Sequence, residues 1–205
     1  MKQPLGVILA GGRATRMGGG DKGLLPLGGS SILGHVIGRL APQVAELALN
    51  ANGDPARFAQ TGLSVLPDSI EGFAGPLAGV LAGLDWAAER GAETIVTAAA
   101  DTPFFPEDLV PRLLLAAEGM AHPLALAATQ EGGRQHRHPT FGLWPVALRD
   151  DLRAALRGGL RKVVLWTETH GGREALFETG AVDPFFNVNT GEDLARARAL
   201  IGSSA

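Results

Sequence analysis

The chain has 205 residues, of which 45% are hydrophobic, and a formal net charge of −3 at pH 7. Its length permits burial of roughly 70% of the unfolded surface and favours one domain over residues 1–205. The charge argues against a broad nucleic-acid surface, and no apolar run approaches the ~20 residues of a membrane span. Cysteine is absent, which excludes disulfides, thiolate metal sites and a catalytic thiol. Since no signal peptide is recognisable either, we expect a cytoplasmic protein.

Short apolar segments alternate with helical patterns along the chain. Strands are predicted near residues 5–10, 44–50, 64–66, 94–100, 124–129, 140–144 and 175–178, with a polar loop at 130–138. Helices are predicted near 31–41, 55–60, 107–117, 146–156 and 160–166, and others begin at 76 and after 190. This alternation predicts a Rossmann-like, doubly wound α/β fold with a mostly parallel sheet and helices on both faces.

A glycine-rich segment, residues 9–22, follows the first predicted strand and contains five glycines, three cations and one acid. Glycine lets backbone N–H groups approach a ligand, and the cations favour an anion such as phosphate. The order Asp21-Lys22-Gly23 excludes a P-loop, which needs glycine before the lysine and Ser or Thr after it. A mobile surface loop and a dinucleotide-binding loop stay as alternatives. The position after a strand favours a nucleotide-phosphate loop.

Asp101 follows the most apolar predicted strand, and Thr102-Pro103 then forces a turn. We therefore expect its carboxylate at the same rim as the glycine-rich segment. Magnesium is held in proteins by one or two carboxylates together with substrate phosphates. The sequence predicts that Asp101 is a Mg²⁺ ligand, and an Asx-turn or helix cap is the alternative.

Polar side chains also end two other predicted strands. Asn50 and Asn52 follow the second strand, and Asp68 follows the third. A carboxylate can accept hydrogen bonds from N1–H and the 2-amino group of guanine, and a side-chain amide can donate or accept. These residues therefore predict a guanine-contacting edge, with ordinary turn chemistry as the alternative.

Asn187 and Asn189 alternate in a segment that is predicted to be extended, so both should face one side. Their amides can hold a phosphate or complete a metal shell. Thr190 and Asp193, three residues apart, predict the cap of the last helix.

Residues 134–138 form a cationic cluster that includes Arg134, His136 and His138. Three interpretations stay open for this cluster. They are a zinc pair formed by the two histidines, a solvated loop, and contact with an anionic second substrate.

Taken in order, these segments resemble those of the molybdenum cofactor guanylyltransferases, within the wider nucleotidyltransferase family. The resemblance covers essentially the whole chain and implies a fold like that of the nucleotide-diphospho-sugar transferases. The segments that carry it are Leu9-Ala10-Gly11-Gly12, Arg16-Met17-Gly18, Asp21-Lys22-Gly23, Asn50-Ala51-Asn52, Pro67-Asp68, Gly75-Pro76-Leu77-Ala78-Gly79, Asp101-Thr102-Pro103, His138-Pro139 and Asn187-Val188-Asn189-Thr190.

The resemblance implies a role for each rim residue. Arg16 would lie on the triphosphate and would act with Lys22 and Asp101 in catalysis. Asp101 would also bind Mg²⁺, whereas Asn187 and Asn189 would lie at the junction with the pterin substrate. The first part of the chain, about 1–105, would bind GTP, and about 106–205 would bind the pterin. The implied GTP contacts are Leu9, Ala10, Gly11, Gly12, Lys22, Asn50, Asp68 and Asp101.

The implied reaction transfers GMP from GTP to the terminal phosphate of molybdopterin and releases pyrophosphate. The implied partners are GTP and molybdopterin or molybdenum cofactor, with other cofactor-biosynthesis proteins or apo-molybdoenzymes as candidates, and neither nucleic acid nor membrane. A phosphate monoester is already anionic, so catalysis would rest on positioning and charge neutralisation. The alternatives are a cytidylyltransferase acting on the same cofactor, a sugar-1-phosphate nucleotidylyltransferase, a non-catalytic GTP-binding adaptor and a Rossmann-type dehydrogenase.

Overall fold

A computed structural model describes residues 2–11, 21–70, 72, 75–180 and 183–202. Gly12 and Arg16, two of the predicted site residues, therefore lie outside the described residues. The described strands are β1 (Leu5–Leu9), β2 (Pro26–Leu27), β3 (Ser30–Ser31), β4 (Leu47–Asn50), β5 (Ser64–Leu66), β6 (Thr94–Ala99), β7 (Ala125–Glu131), β8 (Arg134–Pro145) and β9 (Arg173–Phe177). The described α-helices are α1 (Ile32–Leu40), α2 (Pro76–Glu89), α3 (Leu109–Ala116), α4 (Arg149–Arg157), α5 (Val163–Thr169) and α6 (Gly191–Gly202). Short 3₁₀ turns cover Lys22–Leu24, Ala41–Gln43, Pro55–Thr61 and Val146–Leu148.

Seven of these strands form one sheet in the order β5-β4-β1-β6-β8-β7-β9. The first four strands in that order are parallel, β9 is parallel to β7, and β8 runs antiparallel to both of its neighbours. The predicted mostly parallel sheet is therefore confirmed. In the register of the sheet Leu9 lies beside both Asn50 and Ala99, so β1, β4 and β6 end at one rim.

Helices cover both faces of the sheet, as predicted. Alternate residues of β1 supply the two cores, because successive strand side chains point to opposite faces. Ile8 packs in a cluster with α1 and α3, whereas Val7 packs in a second cluster with α2, α4 and α5. No helix within the described residues is long and apolar enough to cross a bilayer.

The last helix begins with the capping arrangement that the sequence predicts. The Asp193 N–H donates to Thr190 Oγ1 at 3.1 Å, and Asp193 Oδ2 accepts from the Thr190 and Asn189 N–H groups. These bonds satisfy N–H groups that a helix start leaves without partners. They also fix the backbone of the segment that carries Asn189 at the rim.

One part of the secondary-structure prediction is wrong. Residues 134–138 are not a polar loop, because they form the first half of β8 and pair with β7 through a turn at Gly132 and Gly133. Both turn glycines have positive φ, 57° and 78°, as tight hairpin turns require. The solvent exposure of this hairpin explains its polar, loop-like composition. The segment 185–189 joins no strand of the described sheet, and Asn187 and Asn189 are both exposed on either side of the buried Val188.

Candidate active site

A cavity of about 990 Å³ lies at the rim where β1, β4 and β6 end. This volume is at the upper end of the range for small-molecule sites and can hold a nucleotide. Eight predicted site residues line the cavity: Leu9, Ala10, Gly11, Lys22, Asn50, Asp68, Asp101 and Asn187. Asn189, the remaining described site residue, contacts Lys22.

Lys22 and Asp101 meet at one end of the cavity. Lys22 Nζ lies 3.1 Å from Asp101 Oδ2 and donates to Asn189 Oδ1 at 2.6 Å. The side chains of Lys22 and Asp101 are only 16% and 24% exposed. A partly desolvated ammonium beside a carboxylate is suited to exchange its partner for an incoming phosphate.

Thr102 positions Asn187 beside this ion pair. The fully buried Thr102 donates from Oγ1 to Asn187 Oδ1 at 2.6 Å, and Oγ1 also lies 3.3 Å from Asp101 Oδ1. The Val188 N–H donates to the Asp101 carbonyl at 2.8 Å, which ties the segment to the end of β6. Since Asn187 and Asn189 both use Oδ1 in these contacts, their Nδ2 groups are the donors left for an anion.

Asp68 is the centre of a hydrogen-bonded network at the other end of the cavity. Asn50 Nδ2 donates to Asp68 Oδ1 at 3.0 Å, and Asn52 Nδ2 donates to Asp68 Oδ2 at 2.7 Å. The Asp68 N–H donates back to Asn52 Oδ1 at 2.9 Å. The carboxylate is therefore held in one orientation, and each oxygen retains a lone pair for a further donor.

Gly79, in the first turn of α2, makes room for Asn50. A Cβ atom at Gly79 would lie 2.2 Å from Asn50 Oδ1 and 2.9 Å from Leu9 Cδ2. Only glycine therefore lets α2 approach the rim while Asn50, which is 3% exposed, keeps its position. No role is predicted for Gly79 from the sequence. A glycine inside a helical pattern, where it costs stability, is the signal for such a close approach.

Some backbone groups at the end of β1 already form hydrogen bonds with neighbouring strands. The Ala10 N–H donates to the Asn50 carbonyl at 2.8 Å, and the Leu9 carbonyl accepts from the Ala100 N–H at 3.1 Å. The sheet ladder thus engages the Ala10 N–H, so Gly11 is the first residue of the glycine-rich segment that follows the ladder. Backbone contacts to a phosphate are expected from Gly11 onward.

The cationic cluster at 134–138 lies on the β7–β8 hairpin. Arg137 pairs with Glu168 and Glu174, and the hydrogen bonds that its guanidinium donates to both carboxylates raise its pKa. His138 lies 2.9 Å from Thr129 Oγ1 and stacks on Phe185, and burial lowers the pKa of its imidazole. The loop part of the solvated-loop interpretation is wrong, because these residues form a strand, but residues 134–137 are exposed to solvent. Across the described residues, no group of three or more His, Asp or Glu side chains could form a metal site, so the zinc pair has no third ligand there.

The fold is shared with solved structures of other proteins. It is similar to molybdopterin-guanine dinucleotide biosynthesis protein A from Archaeoglobus fulgidus, with a TM-score of 0.71 and 20% identity over 97% of this chain and 99% of that chain. It is also similar to CMP:2-keto-3-deoxy-manno-octonic acid synthetase, with a TM-score of 0.75, 16% identity and full coverage of both chains. Both likenesses show a fold of the predicted α/β class.

The sequence comparison narrows this class to one family. The family model described as "MobA-like NTP transferase domain" matches residues 6–171. The chain is 52% identical over 203 residues to the molybdenum cofactor guanylyltransferase of Mesorhizobium japonicum, covering 97% of this chain and 96% of that protein. It is 54% identical over 198 residues to the protein of that name from a Bradyrhizobium species, covering 95% and 92%. The chain therefore belongs to the MobA-like NTP transferase family, and the resemblance seen in its motifs is confirmed.

Proposed function

We propose that this protein transfers GMP from GTP to the terminal phosphate of molybdopterin, which forms a guanine dinucleotide cofactor and releases pyrophosphate. The observation that carries the proposal is a single cavity with Lys22 and Asp101 at one end and the Asp68 network at the other. The relatives that are named molybdenum cofactor guanylyltransferase support it, because they match the chain over nearly its full length.

The Asp68 network supports guanine as the base. Guanine presents two adjacent donors, N1–H and the 2-amino group, and the Asp68 carboxylate has a spare lone pair on each oxygen. Asn50 and Asn52 hold that carboxylate from behind, so its orientation is set before a ligand arrives. Cytosine presents acceptors at the corresponding edge, which would face a carboxylate unfavourably.

The other end of the cavity supports triphosphate binding. Gly11 and Lys22, near the two ends of the glycine-rich segment, both line the cavity, and Lys22 supplies a positive charge. We propose that Leu9 and Ala10 shape this wall, that Gly12 also binds GTP and that Arg16 binds the triphosphate. Lys22 and Arg16 would stabilise the negative charge that grows as pyrophosphate leaves.

The donor set around Asp101 fits a hard cation such as Mg²⁺. Asp101 offers one carboxylate, and the substrate phosphates would complete the coordination. We propose that Asp101 holds Mg²⁺ when GTP is bound, where the ion would neutralise phosphate charge.

Asn187 and Asn189 lie beside the ion pair of Lys22 and Asp101, and we propose that they contact the second substrate there. Thr102 and Lys22 donate to the Oδ1 atoms of Asn187 and Asn189 respectively, so the Nδ2 groups are available to donate to an anion. In the proposed step a terminal phosphate oxygen of molybdopterin forms a bond to the α-phosphorus of GTP. The bond from that phosphorus to the bridging oxygen breaks, and pyrophosphate leaves with the electron pair. The attacking oxygen is already anionic, so the chain needs to position it rather than deprotonate it.

We propose that the two substrates bind to different parts of the chain. Residues of about 1–105 would bind GTP, and those of about 106–205 would bind the pterin. Delivery of the product to other cofactor-biosynthesis proteins or apo-molybdoenzymes, and the cytoplasmic location, stay predictions from the sequence.

Pyrophosphate release with each of the four nucleoside triphosphates, in the presence of molybdopterin and Mg²⁺, tests the proposal. We expect release with GTP to exceed that with the other three. Faster release with CTP would favour a cytidylyltransferase and contradict the guanine assignment. Tight GTP binding without any pyrophosphate release would favour a non-catalytic adaptor.

A further inference from the structure

We infer that Arg57 is a positioning residue, which holds the phosphate end and the base end of the cavity in a fixed relation to each other. The inference rests on the proposed binding of GTP. Arg57 belongs to the 3₁₀ turn Pro55–Thr61, and it is not among the described residues that line the cavity. Its neighbours Asp21, Asn52 and Phe58 do line it, so Arg57 lies directly behind the cavity wall.

The Arg57 guanidinium contacts three different parts of this wall. Nε lies 2.5 Å from Asp21 Oδ2, as an ion pair whose geometry is not that of an aligned hydrogen bond. Nη2 donates to the Asn52 carbonyl at 2.6 Å, and Nη1 donates to the Asp54 carbonyl at 2.8 Å. The guanidinium carbon also lies 4.7 Å from the centre of the Phe58 ring, which favours a stacked cation.

Two of these contacts, those with Asp21 and with Asn52, connect Arg57 to opposite ends of the cavity. Asp21 immediately precedes Lys22, whose ammonium meets Asp101 and Asn189. Asn52 donates its side-chain amide to Asp68 and accepts from the Asp68 N–H. One planar side chain therefore joins the turn that carries the phosphate-binding lysine to the residue that orients the base-contacting carboxylate.

The local sequence shapes a turn around this guanidinium. Gly53 has a φ of 87°, and a Cβ atom there would lie 3.1 Å from Arg57 Nη1. Asp54 caps the 3₁₀ turn by accepting the Ala56 N–H at 2.9 Å, and Pro55 occupies its first position. The segment Gly53-Asp54-Pro55 thus turns the chain so that Arg57 points back at the Asn52 carbonyl.

Arginine is required at this position because its fork of donors can engage several acceptors at once. Lysine has a compact ammonium on a flexible stem and cannot span a carboxylate and two carbonyls in one plane. Without Arg57, Asp21 and the Asn52 segment are free to adopt other conformations in the empty protein. GTP binding must then restore the order, and this cost weakens affinity.

The experiment compares Arg57→Ala and Arg57→Lys with the parent chain. Equilibrium dissociation constants are measured for GTP and for inosine triphosphate, which lacks the 2-amino group that Asp68 is proposed to contact. We expect both variants to bind GTP on the order of tenfold more weakly. We also expect the preference for GTP over inosine triphosphate to narrow, because Asp68 is held less firmly. In turnover, KM for GTP should rise more than kcat falls.

The matched control is Arg90→Ala. Arg90 pairs with Glu46 and stacks over Trp86 at 4.6 Å, as Arg57 pairs with Asp21 and stacks over Phe58, but it lies away from the cavity. This control should leave both dissociation constants unchanged. Arg57→Lys keeps the charge, and it keeps the test valid should the alanine variant fail to fold.

Parental affinity and parental base preference in Arg57→Ala would overturn the inference. Full recovery in Arg57→Lys would overturn it as well, because charge alone would then suffice. A parent chain that binds no GTP would overturn the proposed function and this inference with it. A parent that binds GTP as proposed while Arg57→Ala binds it equally well would overturn the inference alone.

Discussion

Lys22 Nζ lies 3.1 Å from Asp101 Oδ2, although 79 positions of sequence separate the two residues. The same ammonium donates to Asn189, so three distant segments of the chain meet at one charge. The carboxylate and the amide hold the cation at the place where a triphosphate would bind. An incoming phosphate can replace these partners and leave Asp101 to a metal ion.

The first prediction concerns Lys22. Lys22→Ala should lower kcat/KM, because the transition state loses about 2–4 kcal/mol of stabilisation, by analogy with the loss of one oxyanion-hole donor. Steady-state kinetics of pyrophosphate release measure the change. Lys2→Ala is the control, because Lys2 has an exposed side chain that pairs only loosely with Glu93, at 3.6 Å. An unchanged kcat/KM in Lys22→Ala would remove Lys22 from the triphosphate site.

The second prediction concerns Asp101. Asp101→Asn keeps the shape of the side chain but removes its charge, so metal-dependent turnover should be lost while the fold is retained. Titration of turnover with Mg²⁺ and Mn²⁺ measures the effect. Asp108→Asn alters an exposed carboxylate that pairs with Arg112 and should behave as the parent does. Near-normal turnover in Asp101→Asn would exclude this residue as the metal ligand.

The third prediction concerns the close approach of α2 to Asn50. Gly79→Ala should destabilise the protein by about 1–3 kcal/mol and raise KM for GTP, because the added methyl group displaces the Asn50 side chain. Gly38→Ala is a matched control in α1, where nothing lies within 4 Å of the added Cβ atom. That change should be neutral or stabilise by up to about 1 kcal/mol. Urea unfolding gives both values, and equal stabilities for the two variants would contradict the prediction.

The fourth prediction concerns pH. Burial lowers the pKa of His138 from its ordinary value of 6.5, so the folded protein binds a proton less readily than the unfolded chain. The contribution to the free energy of unfolding is therefore fully present above pH 6.5 and declines as the pH falls toward the folded pKa. His138→Gln should flatten this part of the pH profile, measured by urea unfolding. His122→Gln, at an exposed position, should keep the parental slope, and a parental slope in His138→Gln would contradict the prediction.

Much of the fold and the site could be predicted because the relevant signals are local. The apolar run of β6 followed by Asp101 identifies a strand end, and parallel strand ends share one rim. Asn50 ends β4 and Asp68 follows β5, and in the structure Asn50 Nδ2 lies 3.0 Å from Asp68 Oδ1. The roles of these residues toward GTP stay predictions.

The features that sequence reasoning missed depend on contacts between distant segments. The β7–β8 hairpin is exposed, so its polar residues look like a loop while its hydrogen bonds form a strand. Thr102 gains its role only through Asn187, 85 positions away. The positioning role of Arg57 depends on its contacts with Asp21 and with the Asn52 backbone carbonyl. A contact with a backbone carbonyl leaves no signal in the sequence.

The most direct test of the account follows the phosphorus atoms of GTP into the products. The protein is incubated with molybdopterin and Mg²⁺, once with GTP labelled at the α-phosphorus and once with GTP labelled at the γ-phosphorus. We predict that the α label enters the dinucleotide cofactor and that the γ label leaves in pyrophosphate. Appearance of the γ label in the cofactor, or of neither label despite bound GTP, would contradict it.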